Sequence, residues 1–116
     1  MARSCLHFTE GGRTVEVQTT NADRALHVSF RGELDHHAAK KTVTAMERAL
    51  DAALPLKLTI DFGGVTFMDS SGIAVVMRAY RRMTALGGRL ELVNVPAQAK
   101  KVFDAAGISC RVAMEG

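Results

Sequence analysis

The stretch PLKLTIDFGGVTFMDSSGIAVVMRAYRRM, residues 55–83, decides the fold. After Pro55, Leu56 to Asp61 predicts a short strand whose apolar residues on both faces are typical of a buried parallel strand. Gly63-Gly64 predicts a turn, and Val65 to Met68 leads into a helix. The apolar stripe of that helix consists of Ile73, Val76, Met77, Tyr80 and Met83. A strand that leads directly into a helix is the unit from which parallel sheets are built.

Upstream, a period of two from Thr14 to Gln18 and from Ala25 to Phe30 predicts a β-hairpin around Asn21-Ala22-Asp23. A helix then runs to Pro55, and Asp35 is its candidate N-cap. The apolar residues of this helix recur at steps of three and four, at Val43, Met46, Leu50 and Leu54. The hairpin therefore precedes the first strand–helix unit.

Downstream, Gly87-Gly88 ends the second helix and Leu90 to Val95 predicts another strand. Pro96 begins a third helix that ends at Gly107, and Ile108 to Met114 is a candidate last strand. The predicted order is ββαβαβαβ. This order predicts an α/β fold with a mixed, mostly parallel sheet, an N-terminal hairpin and helices packed on the sheet.

The chain of 116 residues has room for a single hydrophobic core. We expect one domain, residues 13–116, after a short lead-in of residues 1–12. The net charge of +3 excludes a strongly polybasic nucleic-acid binder. Cys5 and Cys110 lack the spacing of a redox or metal motif, so we expect reduced thiols. With no signal-peptide pattern and no apolar run of membrane-spanning length, we expect a cytoplasmic protein.

Functional residues of a parallel sheet lie at the carboxyl ends of its strands. Asp35 and the segment Asp69-Ser70-Ser71-Gly72 follow predicted strands there. Asp and Ser at a helix N-terminus are capping residues. The same backbone N–H groups and the positive end of the helix dipole would accept a phosphate on Ser70, with Gly72 leaving room for it. The two interpretations are compatible.

Four segments together resemble the STAS domain of bacterial anti-sigma factor antagonists, in particular the sporulation type. The segments are Gly32-Glu33-Leu34-Asp35-His36-His37, Phe67-Met68-Asp69-Ser70-Ser71-Gly72, Gly87-Gly88 with Leu90 to Asn94, and Lys101-Val102-Phe103-Asp104 with Gly107. The resemblance covers about residues 14 to 112. Ala74 departs from it, because sporulation-type proteins tend to carry a second glycine there, and this departure bears on partner choice.

The resemblance implies a non-enzymatic switch protein. Such proteins bind an anti-sigma factor that is also a GHKL-type serine kinase, and so free a sigma factor. The kinase uses ATP to phosphorylate the serine that matches Ser70, the complex dissociates, and a PP2C-type phosphatase resets the antagonist. No cofactor of the chain itself is expected, and no direct contact with nucleic acid or membrane. The predicted partner-binding residues are Asp35, Met68, Asp69, Ser70, Ser71, Gly72, Ile73, Arg78 and Arg81.

Other interpretations remain open. The arginines of residues 70–89, where Asp and Glu are absent, form either a solvated helix face or a partner footprint. His36 and His37 with Asp35 and Ser70 supply the residue types of a serine hydrolase, but the chain lacks a GxSxG elbow. Adjacent helical histidines point apart, so we expect no metal site there. A STAS subunit of a stress-signalling or lipid-transport complex is the main alternative to the antagonist.

Overall fold

Strands and helices alternate through residues 2–10, 13–108 and 113–114, which the computed structural model describes. In chain order the elements are β1 (Ala2–Glu10), β2 (Arg13–Ala22), β3 (Ala25–Leu34), α1 (His36–Ala53), β4 (Lys57–Met68), α2 (Ser71–Ala85), β5 (Arg89–Val93), α3 (Ala97–Ala105) and β6 (Ala113–Met114). The described strands form one sheet in the order β1-β2-β3-β4-β5-β6. Pairing is antiparallel from β1 to β3 and parallel from β3 to β6. The predicted α/β fold with a mixed sheet is confirmed.

The predicted lead-in, residues 1–12, contains a strand. β1 pairs with β2 from Ala2 opposite Asn21 to Glu10 opposite Arg13. The signal is present in the sequence, because Leu6 and Phe8 alternate with polar neighbours, but it is short. The element order is therefore βββαβαβαβ, and the predicted hairpin is the second and third strand of the sheet.

The turn between β2 and β3 contains Asp23 and Arg24, both with positive φ, 52° and 63°. Two such residues between paired strands are typical of a tight type I′ hairpin, whose twist matches that of the strands. Ala22 pairs with Ala25 directly across this turn. The predicted turn at Asn21-Ala22-Asp23 thus lies slightly later in the chain.

β4 continues through Gly63-Gly64, where the sequence predicts a turn. The pairing of β3 with β4 shifts register between Ser29 and Arg31, opposite these glycines. A Cβ on Gly64 would lie 2.5 Å from Arg31 Cγ, so the close approach of the neighbouring strand requires glycine there. The two glycines therefore form a bulge inside the strand.

β4 is buried on one face only, contrary to the prediction of apolar residues on both faces. Leu58, Ile60 and Phe62 are fully buried, whereas Thr59 and Asp61 are partly exposed. One hydrophobic cluster contains the buried residues of the strands together with those of α1, α2 and α3. In the described residues, the helices thus cover the same face of the sheet and leave the other face to solvent.

Aromatic rings and methionines fill the core between sheet and helices. Phe62 packs edge to face on Phe30 and on Phe103, with ring centroids 5.7 Å and 5.4 Å apart. Met46 and Met83 are buried, and Met77 and Tyr80 pack partly buried against the same cluster, as the helical stripes predict. Leu54 is an exception, because it is the left-handed C-cap of α1 and is 53% exposed.

The predicted last strand, Ile108 to Met114, falls partly outside the described residues. β6 (Ala113–Met114) lies within that range and pairs parallel with β5. Among the helices that the structure describes, none combines the length and hydropathy needed to cross a membrane.

We predict that Gly32→Ala lowers the free energy of unfolding by about 2–3 kcal/mol, because Gly32 has φ +105° and a Cβ there would lie 2.4 Å from the Thr14 carbonyl oxygen. Gly87→Ala is the matched control: its φ is also positive, +71°, but a Cβ meets nothing within 4 Å. The control is expected to cost about 1 kcal/mol. Urea denaturation measures both, and equal losses would contradict the assigned close approach.

Candidate functional site

The carboxyl ends of β3 and β4 lie side by side and each leads into a helix. Leu34 and Met68 form the last residue pair between the two strands. The next residues, Asp35 and Asp69, therefore meet at the same edge of the sheet, where α1 and α2 begin. The Asp69 amide donates to the Leu34 carbonyl over 3.4 Å. This edge brings together the two segments that the sequence marks as functional, and we call it the tip.

Asp35 caps α1, as the sequence predicts. Its Oδ1 accepts hydrogen bonds from the amides of His37 and Ala38, at 3.0 Å and 3.2 Å. The side chain is in the protein interior, with only 3% of the residue exposed. Asp35 therefore has little surface to offer a partner. It supports the predicted contact surface by capping α1.

The Asp69 carboxylate joins the first turns of both helices. Oδ1 accepts from the Ser71 amide of α2 at 2.8 Å, and Oδ2 accepts from the His36 amide of α1 at 3.2 Å. The His36 ring adds a contact of 3.6 Å from Nδ1 to the same Oδ2. The Asp69 side chain is 30% exposed. It is the carboxylate that the tip presents to solvent.

Ser70 is exposed and stands before the first residue of α2. Its backbone is already helical, φ −62° and ψ −16°, whereas a capping residue is usually extended. Within the described residues its side chain makes no capping hydrogen bond. The predicted capping by this segment is therefore confirmed for Asp69 and does not extend to the Ser70 side chain. The Ser70 hydroxyl remains available for chemistry.

The first amides of α2 are already bonded, contrary to the expectation that they are free to accept a phosphate. Ser71 donates to Asp69 Oδ1, Gly72 to the Asp69 carbonyl over 3.0 Å, and Ile73 to the Ser70 carbonyl over 3.1 Å. Gly72 is buried, and a Cβ there would lie 2.4 Å from the Met68 sulfur. Its missing side chain makes room for the core, not for a phosphate.

Met68, a predicted partner-binding residue, is fully buried and so offers no surface to a partner. Phe67, the preceding residue, is 43% exposed instead. Met68 continues the alternation of Leu58, Ile60 and Phe62, because the two register shifts of β4 against β3 each add one residue and together restore it. Gln98 of α3 holds the Met68 backbone by accepting from its amide at 3.0 Å and donating to its carbonyl at 2.7 Å. Sequence reasoning missed both Phe67 and Gln98.

An open groove separates the start of α2 from α3. It is lined by Ser70, Ile73, Gln98, Lys101, Val102 and Ala105, among others. Lys101 is exposed and adds a positive charge to the groove that Ser70 also lines. Ile73 is partly exposed, as a contact residue requires. The groove and the tip form one continuous surface around Ser70.

The arginines of α2 divide into two groups. Arg78 and Arg82 both contact Glu47 of α1, at 3.4 Å and 3.5 Å, and Arg82 also bonds Asp51. Arg81 is exposed and has no ion pair within the described residues. Arg81 follows Ser70 by eleven residues, which at 100° per residue is close to three full helical turns. Arg81 therefore lies on the same face of the helix as Ser70 and the exposed Ala74. Arg81 is thus an exposed arginine on this face.

The histidine rings lie against each other, with centroids 4.0 Å apart and planes tilted by 37°, although the sequence predicts that they point apart. Both residues are exposed. His36 contacts Asp69, and in the described part of the chain neither ring bonds the Ser70 hydroxyl. The nucleophile–base contact that a hydrolase needs is therefore not formed at this site.

Comparison with known proteins places this arrangement in a family. The model of the STAS domain matches residues 16–115. An anti-sigma F factor antagonist from Lysinibacillus sphaericus is 34% identical over 77 residues, which are 66% of each chain. The solved structure of the anti-sigma factor antagonist SpoIIAA in its unphosphorylated form has 28% identity and a TM-score of 0.73, covering 84% of this chain and 86% of that one. The phosphorylated form from Bacillus has 28% identity and a TM-score of 0.66, covering 84% and 89%.

We predict that Asp69→Ala lowers the free energy of unfolding by about 1–2 kcal/mol, because it removes the cap of α2 and the bond to α1. Ser70→Ala is expected to change it by less than about 0.5 kcal/mol, because its hydroxyl makes no cap bond. Urea denaturation followed by circular dichroism compares the two variants. A larger loss in Ser70→Ala than in Asp69→Ala would return the capping role to the serine.

Proposed function

Because the chain belongs to the STAS domain family, we propose that it is an anti-sigma factor antagonist whose partner contact is switched off by phosphorylation of Ser70. One observation carries this proposal. Asp69 satisfies the first amide of α2 and so leaves the Ser70 hydroxyl exposed at a helix end, with a carboxylate beside it. A kinase needs such an accessible hydroxyl on a rigid support.

The proposed partner is an anti-sigma factor that is also a serine kinase of the GHKL type. A relative and two similar structures carry the name anti-sigma factor antagonist or SpoIIAA, and one structure is of a phosphorylated form. The partner supplies ATP, so this chain needs no cofactor of its own. A PP2C-type phosphatase removes the phosphate. A cytoplasmic location follows from the proposal, because sigma factors act there.

The partner contacts the tip, the groove and one face of α2. Ile73 and Val102 offer apolar surface in the groove, Phe67 is an exposed apolar residue two positions before Asp69, and Lys101 and Arg81 offer positive charge. Apolar groups with a charged rim are typical of specific protein interfaces. Ser70 lies where these parts meet, so a change at this residue acts on the whole contact. Ser71 and Gly72 support the site through their backbone.

Phosphorylation works as a local electrostatic switch in this proposal. It adds a charge of about −1.5 to −2 beside the Asp69 carboxylate. Because the first amides of α2 are already bonded, the helix cannot absorb the phosphate without breaking its cap. The charge stays on the contact surface, where like-charge juxtaposition costs several kcal/mol. Release of the partner then needs no refolding of the antagonist.

We predict that Ser70→Asp weakens binding to the purified anti-sigma factor kinase at least about tenfold, a loss of about 1.4 kcal/mol or more. Ser70→Ala is expected to bind like the wild type but to accept no phosphate from the kinase and ATP. Thr84→Asp is the matched control, because it adds the same charge to an exposed residue at the other end of α2. Isothermal titration calorimetry and intact-protein mass spectrometry provide the two measurements.

Two results would count against this proposal. Equal affinity of the wild type, Ser70→Ala and Ser70→Asp would favour a STAS subunit of another assembly, in which the serine serves a different contact. Amide NMR shifts that spread through the sheet after phosphorylation would show a rearrangement. The local switch predicts shifts confined to residues around the tip and groove.

We predict that Arg81→Glu slows association with the kinase, because the exposed charge of Arg81 lies on the Ser70 face and steers an acidic partner. Arg89→Glu is the control, since it makes the same charge change at an exposed residue that begins β5, after the far end of α2. Surface plasmon resonance at several salt concentrations measures the rates. Equal slowing by both variants would indicate a general effect of net charge and would contradict a partner contact at Arg81.

A further inference from the structure

The solvent-facing side of the β1–β2 hairpin carries a thiol, an imidazole and a carboxylate as neighbours. Cys5 and His7 are two positions apart on β1, so their side chains leave the strand on the same face. Glu16 lies directly opposite His7 on β2. Cross-strand residues of this kind are within contact distance. We call Cys5, His7 and Glu16 the hairpin cluster.

The polar atoms of the hairpin cluster converge. Cys5 Sγ lies 3.3 Å from His7 Nε2, and His7 Nδ1 lies 3.4 Å from Glu16 Oε2. One potential ligand atom from each residue lies within 4.8 Å of the other two. Gln18, which is paired with Cys5, donates its side-chain amide to Glu16 Oε1 over 2.7 Å. This bond holds the carboxylate with Oε2 toward the histidine.

We propose that the hairpin cluster binds a divalent transition-metal cation of the zinc type through Cys5, His7 and Glu16. Thiolate, imidazole and carboxylate are donor groups that Zn²⁺ prefers. At the usual bond lengths, the ligand atoms of a tetrahedral zinc site lie about 3.3–3.6 Å apart. The separation of Cys5 Sγ and His7 Nε2 already meets this requirement. The Glu16 ligand atom lies within 4.8 Å of the other two, and a small shift of its carboxylate, with Oε1 still bonded to Gln18, closes the remaining distance.

The exposure of the hairpin cluster suits an ion that arrives from solvent. The His7 side chain is 59% exposed, that of Glu16 is 21% exposed, and Cys5 is exposed. Three protein ligands leave the fourth tetrahedral position to water. On binding, the thiol releases its proton to solvent and the thiolate bonds the metal. Gln18 acts as a positioning residue, because it orients Glu16 without contacting the ion.

A surface ion pair is the competing explanation for the contact between His7 and Glu16. Such exposed pairs contribute little to stability and do not involve a thiol. The ion pair does not explain why Cys5 Sγ lies 3.3 Å from the other ring nitrogen, Nε2. Sequence reasoning predicts no metal site and an ordinary reduced thiol, because it treats residues 1–12 as a lead-in and so never pairs Cys5 and His7 with Glu16.

Titration with Co²⁺ tests the proposal, with the full chain free of any histidine tag and kept reduced by a phosphine. Thiolate ligation of Co²⁺ gives an intense near-ultraviolet charge-transfer band, and tetrahedral geometry gives strong visible bands. We expect both in the wild type and their loss when Zn²⁺ is added. Cys5→Ser is expected to abolish the charge-transfer band, and His7→Ala to lower Co²⁺ affinity at least about tenfold.

Matched controls distinguish the hairpin cluster from other ligands of the same type. Cys110→Ser removes the other cysteine, which lies outside the described residues, and His27→Ala removes an exposed histidine of β3. Both are expected to retain the wild-type band and affinity. A wild type without the band, a band that survives Cys5→Ser, or a band lost in Cys110→Ser would overturn the proposal. Circular dichroism checks that each variant is folded.

Discussion

The Asp69 carboxylate is the interaction on which the tip depends. The first amides of a helix lack partners within the helix and must be satisfied from outside. Asp69 satisfies one amide in each of two helices, through Ser71 of α2 and His36 of α1. The two helix starts are thereby held at the ends of adjacent strands. Because the aspartate performs this structural role, the neighbouring Ser70 is free of it.

Local patterns predict the elements of the fold well, and pairing between distant residues explains most of the differences. The stripes of α1 and α2 follow from a helical period that each segment carries by itself. The continuation of β4 through Gly63-Gly64 cannot be predicted in this way, because two adjacent glycines have the composition of a turn. This continuation depends on β3, whose Arg31 side chain fills the space above Gly64. Adjacent glycines are compatible with a turn and with a bulge, and the pairing with β3 decides between them.

The site shows the same division between local and distant causes. Asp35 follows a strand and precedes a helical pattern, so its capping role is readable from the sequence. Asp69 and Ser70 are both good capping residues, and only backbone geometry decides between them: Ser70 is already helical, so Asp69 caps. The burial of Met68 needs no distant cause, because Met68 continues the alternation of Leu58, Ile60 and Phe62 once the two register shifts between β3 and β4 have cancelled.

The arrangement of the helices explains why the molecule has a second polar surface. In the described residues, α1, α2 and α3 all contribute to one cluster on one face of the sheet. The opposite face has no covering layer there, so its side chains must be polar enough to remain in water. Cys5, Gln18, Ser29 and Asp61 form a row across four strands on that face. Polar groups held in register by a rigid sheet are already oriented for contact with a ligand. They lie on a different surface from the groove around Ser70, so a ligand bound to one surface need not displace a partner from the other.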